Sequence, residues 1–409
     1  MMKKMIKAQT LKGFRDFLPQ EAKKRQYVIN ALKEVFESYG FEPLETPALE
    51  YEEVLLGKYG KEGDKLMYRF TDNGGRRVAL RYDQTVPLAR VVAQYGMTGS
   101  DPVTLPFKRY QIQPVWRGEN PQKGRYREFL QCDIDIVGAN SLLADAEIIA
   151  CALSAVQKLK IKNAMLFIND RNIFKGIEPK YIAVIDKLEK IGREEVLNEL
   201  QEKGLTKQSA VKLLQRLEKT AIPESVSQLF KYLKPLLTEG LMIEFRPTLA
   251  RGLDYYTGAI FELIIQGKGG NSIGGGGRYD NLIGIFTGKS VPAVGFSFGF
   301  DRLIEAMEEL NLFPDNLVST KVLVTLFDES LCTNSIKVAA TLRQAGVNTE
   351  LYPQLDKLEK QLKYADRKGI PYVVILGPKE KDKGTVIVKG MSSQKQEEVS
   401  QEKLVKRLQ

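Results

Sequence analysis

Residues 274–280 read Gly-Gly-Gly-Gly-Arg-Tyr-Asp and close a stretch with seven glycines between positions 267 and 280. Glycine at this density marks either a flexible linker or backbone that must come very near something else, because only glycine lacks a Cβ. The Arg278-Tyr279-Asp280 that follows is too committed for a linker. Upstream stands Arg251-Gly252-Leu253-Asp254-Tyr255-Tyr256-Thr257-Gly258, which leads into strand-like text at 261–265, and the glycine-rich stretch is then expected as a loop. An arginine beside glycine can approach a ligand closely, and tyrosine hydroxyls both donate and accept, although paired tyrosines also serve plain packing. Downstream, Gly295-Phe296-Ser297-Phe298-Gly299-Phe300-Asp301-Arg302 reads as a strand entering a helix whose first turns carry Arg302, at a ligand or at a structural junction.

Towards the N-terminus, Val28, Ile29, Leu32, Val35, Phe36 and Tyr39 fall at helical spacing, so a helix is expected over 21–39, ended by Gly40. Pro43 and Pro47 then favour an extended segment. Strands are expected over 78–81, 106–113 and 128–136. In Gln131-Cys132-Asp133-Ile134-Asp135-Ile136 the polar residues alternate, which puts Gln131, Asp133 and Asp135 on one face and implies a wet cleft or a buried polar network. Leu80-Arg81-Tyr82-Asp83-Gln84-Thr85 sets a carboxylate and a hydroxyl two residues apart, suited to an ammonium group or to capping the next helix. From Arg117 to Arg127 a Pro/Gly loop with Gln122, Lys123 and Arg125 joins two strands, as a hairpin offering cations to phosphates or as a solvated basic tip.

Residues 171–241 turn Lys/Glu/Leu-rich and helical, either an insertion or surface helices of the main domain. After Pro314 the period changes again: strands at 322–327, 348–351, 372–376 and 385–388 alternate with helices at 335–344 and 357–368, predicting an α/β module with a largely parallel sheet. Over 318–409 the 16 basic and 11 acidic residues leave +5 of the chain's +10. That balance suits a polyanionic partner. At 409 residues, 43% hydrophobic and 27% charged, the chain has the makings of a soluble globular protein of two to four domains. No apolar run approaches the ~20 residues of a membrane span. With no apolar stretch behind the first basic residues, a cytoplasmic protein is expected, and three cysteines without zinc-like spacing, Cys132, Cys151 and Cys332, fit a reducing compartment. The chain has no histidine at all, which excludes Ser-His-Asp and Cys-His nucleophiles, His-ligated zinc and a His general base. Residues 284–290 miss the P-loop spacing by one, and no G-x-G-x-x-G occurs.

Together these segments resemble the active-site set of the class II aminoacyl-tRNA synthetases, and specifically the histidyl-tRNA synthetase family. The helix leading to Pro47 resembles motif 1, the hairpin with Arg117 and Glu119 motif 2, and Gly299 to Arg302 motif 3; the peptides from Arg251 and Gly274 are the family's distinguishing pair. The resemblance implies an α+β fold: a class II antiparallel-sheet core with flanking helices (1–170 and 242–315), a helical insertion (171–241) and a C-terminal α/β anticodon-binding domain (318–409). It implies a histidine–tRNA ligase using ATP and Mg²⁺, acting on tRNA(His) as a homodimer. By resemblance Arg117 and Arg251 would serve catalysis at the α-phosphate. Glu119 would hold the adenine amino group, Arg125 the bent triphosphate and Arg302 the γ-phosphate. Asp83, Thr85 and Gln131 would bind the histidine ammonium, Asp135 and Tyr256 the imidazole nitrogens, with Tyr279 lining the pocket and Gln122 meeting the tRNA acceptor end. Metal ligands are not implied. The motif 2 loop departs from the family at Gly118 and Asn120, and Asp83 and Asp135 stand where many bacterial relatives carry glutamate. Two rivals share the core: the regulatory subunit of ATP phosphoribosyltransferase, which generally lacks the C-terminal module and the Arg251 peptide, and a nucleic-acid-binding accessory subunit like that of mitochondrial DNA polymerase, which would not need the arginines intact.

Overall fold

The computed structural model describes residues 6–56, 66–97, 102–121, 124–251, 255–266, 272–314, 317 and 320–409. The first helix runs Pro19–Ser38; proline sits where its missing N–H costs nothing, and Val28, Ala31, Leu32, Val35 and Phe36 are its buried stripe. Beyond Gly40 the extended segment supplies β1 (Glu42–Pro43), which lies parallel to β5 at the sheet edge, as its proline requires. A small antiparallel sheet follows, with β2 (Leu49–Tyr51) and β3 (Arg69–Thr71) on either side of β4 (Arg77–Leu80). A helix over Thr85–Tyr95, the one that the capping alternative for Asp83 and Thr85 requires, precedes the hairpin of β5 (Phe107–Trp116) and β6 (Glu128–Val137).

Helix Leu142–Lys158 leads to β7 (Ala164–Asp170). From there to β8 (Leu241–Phe245) the chain is helical, with Pro179–Ile185, Leu188–Glu202, Lys207–Glu218 and Glu224–Leu233. These helices divide between two cores. Ile185, Val196, Leu200, Leu214 and Leu217 join one apolar cluster, whereas Val226, Leu229 and Leu233 join the cluster containing helices Pro19–Ser38 and Leu142–Lys158.

The chain then adds β9 (Ala259–Ile265), β10 (Ser272–Arg278) and β11 (Ala293–Gly299). The described residues form an eight-stranded sheet in the order β1-β5-β6-β11-β10-β9-β7-β8. It is antiparallel except at the edge pairs β1/β5 and β7/β8. The four consecutive glycines are therefore strand, in the middle of the sheet, and not the expected loop. Glycine's poor strand propensity argues for a loop, but burial on both faces decides the outcome. On one face Ile134, Phe296, Phe298, Phe261 and Leu166 form the main core under the helices. Phe296 packs at 4.9 Å on Phe298 and at 6.2 Å on Phe261, in the room that Gly274 leaves open. Each fully buried residue of this kind contributes about 1.5–3 kcal/mol.

Contacts divide the chain into two units, Met1–Phe313 and Pro314–Gln409. The second holds a five-stranded sheet in the order β13-β12-β14-β15-β16, from β12 (Val322–Val324), β13 (Thr349–Leu351), β14 (Tyr372–Ile375), β15 (Thr385–Gly390) and β16 (Gln396–Ser400). Only β12 has parallel neighbours on both sides; β14/β15 and β15/β16 are antiparallel, so the sheet is mixed where a largely parallel one was expected. The unexpected elements are the short helix Pro378–Lys383, β16 and helix Gln401–Leu408, whose charged text hides a thin apolar stripe at Leu404 and Leu408.

A Cβ on Gly276 would overlap the carbonyl oxygen of Gly295 on the neighbouring strand. Gly276→Ala must push these central strands away from each other, so its loss should reach or exceed the ~1–3 kcal/mol of over-packing, read as a lower urea midpoint of unfolding.

Candidate active site

The sheet's second face is the floor of a cleft of about 980 Å³. Register decides what lies on it. β5 presents Arg109, Gln111 and Gln113 beside Asp135, Asp133 and Gln131 of β6, and these lie beside Gly295, Ser297 and Gly299 of β11. Beyond them come Gly277 and Gly275 of β10, then Ile260 and Glu262 of β9. Polar side chains thus crowd one half of the floor, and glycine opens the other for groups that fold over it.

At the carboxylate end Asp135 receives the Tyr279 hydroxyl on Oδ1, while Arg109 Nη2 lies 2.8 Å from Oδ2. Both members of that ion pair are buried. Burial holds the Tyr279 hydroxyl far above its usual range, so it stays a donor. Arg109 is absent from the residues singled out in the sequence; the signal was available, because Arg109, Gln111 and Gln113 alternate along a predicted strand. Burial also pushes Asp83 and Asp133 up to about 7, against the lowering pull of Arg109 and, at Asp83, of Arg117. Asp83 sits where helix Thr85–Tyr95 begins, and its Oδ1 accepts from the Val86 amide at 3.3 Å, so it both caps the helix and faces the cleft with Thr85. Gln84 fixes that turn to the floor by donating to the carbonyls of Gln113 and Gln131 at 2.8 and 3.4 Å. Arg81 is wholly structural: buried, it donates to the Thr46 carbonyl at 2.6 Å, to Gln113 Oε1 at 2.9 Å and to the Pro114 carbonyl at 3.0 Å.

Tyr256 lies over Gly277, where an added Cβ would stand 2.8 Å from its ring, and Tyr255 bridges it to Tyr279 at 4.8 and 5.7 Å between ring centres. Arg251 adopts φ 57°, held by its amide, which donates to Asp186 Oδ1 at 2.7 Å. Its guanidinium lies against Gly275, 3.5 Å from Glu262. Asp186 and Leu188 come from the helical stretch after β7, which therefore supplies a wall of the cleft, a role invisible in its Lys/Glu-rich text. Gly252, Leu253 and Asp254 lie outside the described residues.

At the arginine end Arg117 donates from Nε to the Tyr82 carbonyl at 2.9 Å and lies 5.1 Å from the centre of the Phe129 ring. Glu119 and Arg125 face each other at 3.7 Å, and Arg302 is tied to the Ser272 carbonyl at 3.1 Å. All four line the same cleft as Asp83, Thr85, Gln131, Asp135, Arg251, Tyr256 and Tyr279. Arg127 does not: it turns back to the carbonyls of Glu119 and Lys12 at 3.1 and 3.3 Å. Gln122 and Lys123 lie outside the described residues. Of Arg278-Tyr279-Asp280 only the tyrosine reaches the cleft; Arg278 is locked to Asp145 and Asp280, and Asp280 to Thr257 at 3.0 Å. Among the described residues no group of three Asp, Glu, Cys or His side chains is arranged to hold a metal ion.

The family model for histidyl-tRNA synthetase matches residues 13–217 and 175–303, and the model for the anticodon binding domain matches 321–409. The chain belongs to the histidyl-tRNA synthetase family. It is 42% identical to the histidine–tRNA ligase of Cytophaga hutchinsonii, over 99% of this chain and 100% of that one. The crystal structure of histidyl-tRNA synthetase from Nostoc sp. PCC 7120 superposes with a TM-score of 0.84 at 31% identity, over 99% of both chains. An ATP phosphoribosyltransferase regulatory subunit/histidyl-tRNA synthetase from Bacillus halodurans C shares the fold, with a TM-score of 0.70 at 22% identity over 88% of this chain and 97% of that one. Asp133 of β6 and Arg109, Gln111 and Gln113 of β5 lie on this face of the sheet without a role from the family motifs, and of these Asp133 lines the cleft.

Asp83 and Asp133 are carboxylic acids whose folded pKa, about 7, exceeds the ordinary 3.8. Their contribution to stability is full below that ordinary value and is lost as pH rises through 7. Asp133→Asn, which mimics the protonated form, should raise the Tm of the ligand-free protein most at pH 8 and by a smaller amount at pH 5, which lies inside the window between the two values; equal shifts at both would contradict this.

Proposed function

We propose that the chain is a histidine–tRNA ligase, which joins histidine to ATP as histidyl-adenylate and transfers it to the 3′ end of tRNA(His). One observation carries the reading: a single cleft has a carboxylate and tyrosine end at Asp135, Tyr256 and Tyr279 and an arginine end at Arg117, Arg125, Arg251 and Arg302, in a chain that matches histidine–tRNA ligases along its length.

In the first step a carboxylate oxygen of histidine bonds to the α-phosphorus of ATP, and the bond from that phosphorus to the bridging oxygen breaks, so pyrophosphate leaves with the electron pair. The attacking carboxylate is already ionised and needs no general base, which is why a chain without histidine can do this work. It needs in-line positioning and cations facing the charge that builds at phosphorus. Arg117 and Arg251 serve that charge in our reading, Arg125 the bent triphosphate, Arg302 its γ-phosphate and Glu119 the adenine amino group. Asp83, Thr85 and Gln131 take the substrate ammonium, and Asp135 and Tyr256 the ring nitrogens; Tyr279, hydrogen-bonded to Asp135, fixes that carboxylate's orientation. In the second step the terminal ribose hydroxyl attacks the acyl carbon, AMP leaves, and a phosphate oxygen of AMP takes the proton.

Residues 321–409 match the anticodon binding domain, and we propose that this unit reads the tRNA anticodon while Gln122 meets the acceptor end. Mg²⁺ enters this reading only as the counter-ion that ATP brings. A homodimer is supported by the exposed Leu49, Tyr51 and Phe70 on the small sheet, an apolar face that a second copy would cover. Among the described residues no helix is long and apolar enough to cross a membrane. A cytoplasmic site of action follows from the proposed activity.

The test is amino-acid-dependent ATP–pyrophosphate exchange across the twenty amino acids. Exchange with histidine alone is expected, and Arg251→Ala should lower its rate by about 10²–10³ with an unchanged Tm. Saturable histidine binding without exchange would instead move the chain to a histidine-sensing subunit.

A further inference from the structure

Three acceptors at the carboxylate end of the cleft go unserved, although Arg109 Nε and Nη2, buried beside Asp135, also make no hydrogen bond among the described residues. Asp83 Oδ2, Asp133 Oδ1 and Gln131 Oε1 are buried atoms that receive no hydrogen bond among the described residues, and all three residues line the cleft. Asp83 and Asp133 are 4% and 3% exposed. Asp135 is different, since the Tyr279 hydroxyl and Arg109 occupy its two oxygens. A fourth orphan in the cleft, Asp301 Oδ2, belongs to the arginine end, where Arg15 and Arg25 neutralise its other oxygen at 2.9 and 2.8 Å.

A buried acceptor left without a donor is costly, more so when it is charged. Three in one place call for a donor that arrives with the ligand. An ammonium group has three N–H donors and no acceptor, so it can serve all three orphans, one N–H being shared with the Thr85 hydroxyl that the proposed activity also places there. An imidazole has two ring nitrogens, which the proposed activity already assigns to Asp135 and Tyr256. Asp83, Asp133 and Asp135 face the buried Arg109, whose ion pair is with Asp135, and Arg117 acts on Asp83; among the described residues Asp133 has no ion-pair partner, and a ligand cation would be one. Along β6 Asp133 stands one side-chain step, ~7 Å, from Asp135 and one from Gln131, between the ring-reading end and the amide.

We propose that Asp133 is a substrate-binding residue: its carboxylate accepts one N–H of the histidine α-ammonium, beside Asp83 and Gln131, and so selects an α-amino acid over imidazole compounds that lack the amine. The assignment deepens the proposed activity and rests on it.

The experiment is calorimetric titration of the full chain and of Asp133→Asn with three probes: histidine, histidinol, which keeps ammonium and ring, and imidazolepropionic acid, which keeps ring and carboxylate. Asp133→Asn should weaken histidine and histidinol tenfold or more and leave imidazolepropionic acid within twofold. In exchange assays its histidine KM should rise and its ATP KM stay fixed. Asp135→Asn should weaken all three probes, which separates ring reading from amine reading. Equal loss of all three probes on Asp133→Asn, loss of the amine-free probe alone, or no loss at all would overturn the assignment. The variant's Tm at pH 8 guards against a trivial failure to fold. An unmodified chain that binds histidine without exchange would sink the ligase reading alone, whereas one that binds no histidine would sink both.

Discussion

Around the four glycines of β10 and Gly295 of β11 there is no room for a single methyl group. A Cβ at Gly276 would meet the Gly295 carbonyl, one at Gly275 would stand 2.8 Å from the Phe261 carbonyl and overlap Arg251, and one at Gly295 would overlap Asp135. The rest of the core unit follows from this constraint. Bare strand on one face lets Phe296 settle against Phe261 and Phe298; on the other it lets a guanidinium and a tyrosine ring lie directly on the backbone. A sheet centre without side chains has little apolar area of its own, and the helices packed on it supply what is missing.

That division also separates two kinds of charge. Arg81, Arg109 and Arg278 are buried and committed to fixed partners, so each holds elements together: Arg81 the turn before Asp83, Arg109 the acidic floor, Arg278 the end of β10 against helix Leu142–Lys158. Arg117, Arg125, Arg251 and Arg302 keep a face toward the cleft, each restrained by one carbonyl, one carboxylate or its own backbone. Structural arginines thus position the carboxylates, and the others stay available for a polyanion. A ligand with an ammonium at one end and a triphosphate at the other fits this polarity.

Much of the floor was legible before the fold. Period two in β6 put Gln131, Asp133 and Asp135 on one face, and helical spacing found the helix at Pro19–Ser38. Family resemblance, rather than periodicity, joined Asp83, Arg117, Arg251 and Arg302 across long separations in the chain. The failures have physical causes. Polyglycine reads as loop because its strand is imposed by neighbours on both faces. Arg109 and Arg81 read as ordinary strand charges because their burial depends on pairing register, which a single strand cannot reveal. Arg127 looks like its neighbours in the hairpin, yet its direction is set by backbone carbonyls, one of them in a segment more than a hundred residues away. The wall at Asp186 is one carboxylate in charged helical text, distinguished by the Ala250 and Arg251 amides that reach it.

A chain of 409 residues with no histidine is spectroscopically silent where its ligand speaks. On the proposed function the imidazole of bound histidine, near Asp135 and Tyr256, is the one histidine ring per protein chain, so the ring-nitrogen resonances of labelled histidine meet no histidine signal from the protein. The tautomer and protonation state of the bound ring, which in most proteins are buried under the signals of resident histidines, become directly observable, and so does the orientation that we propose Asp135 and Tyr279 impose.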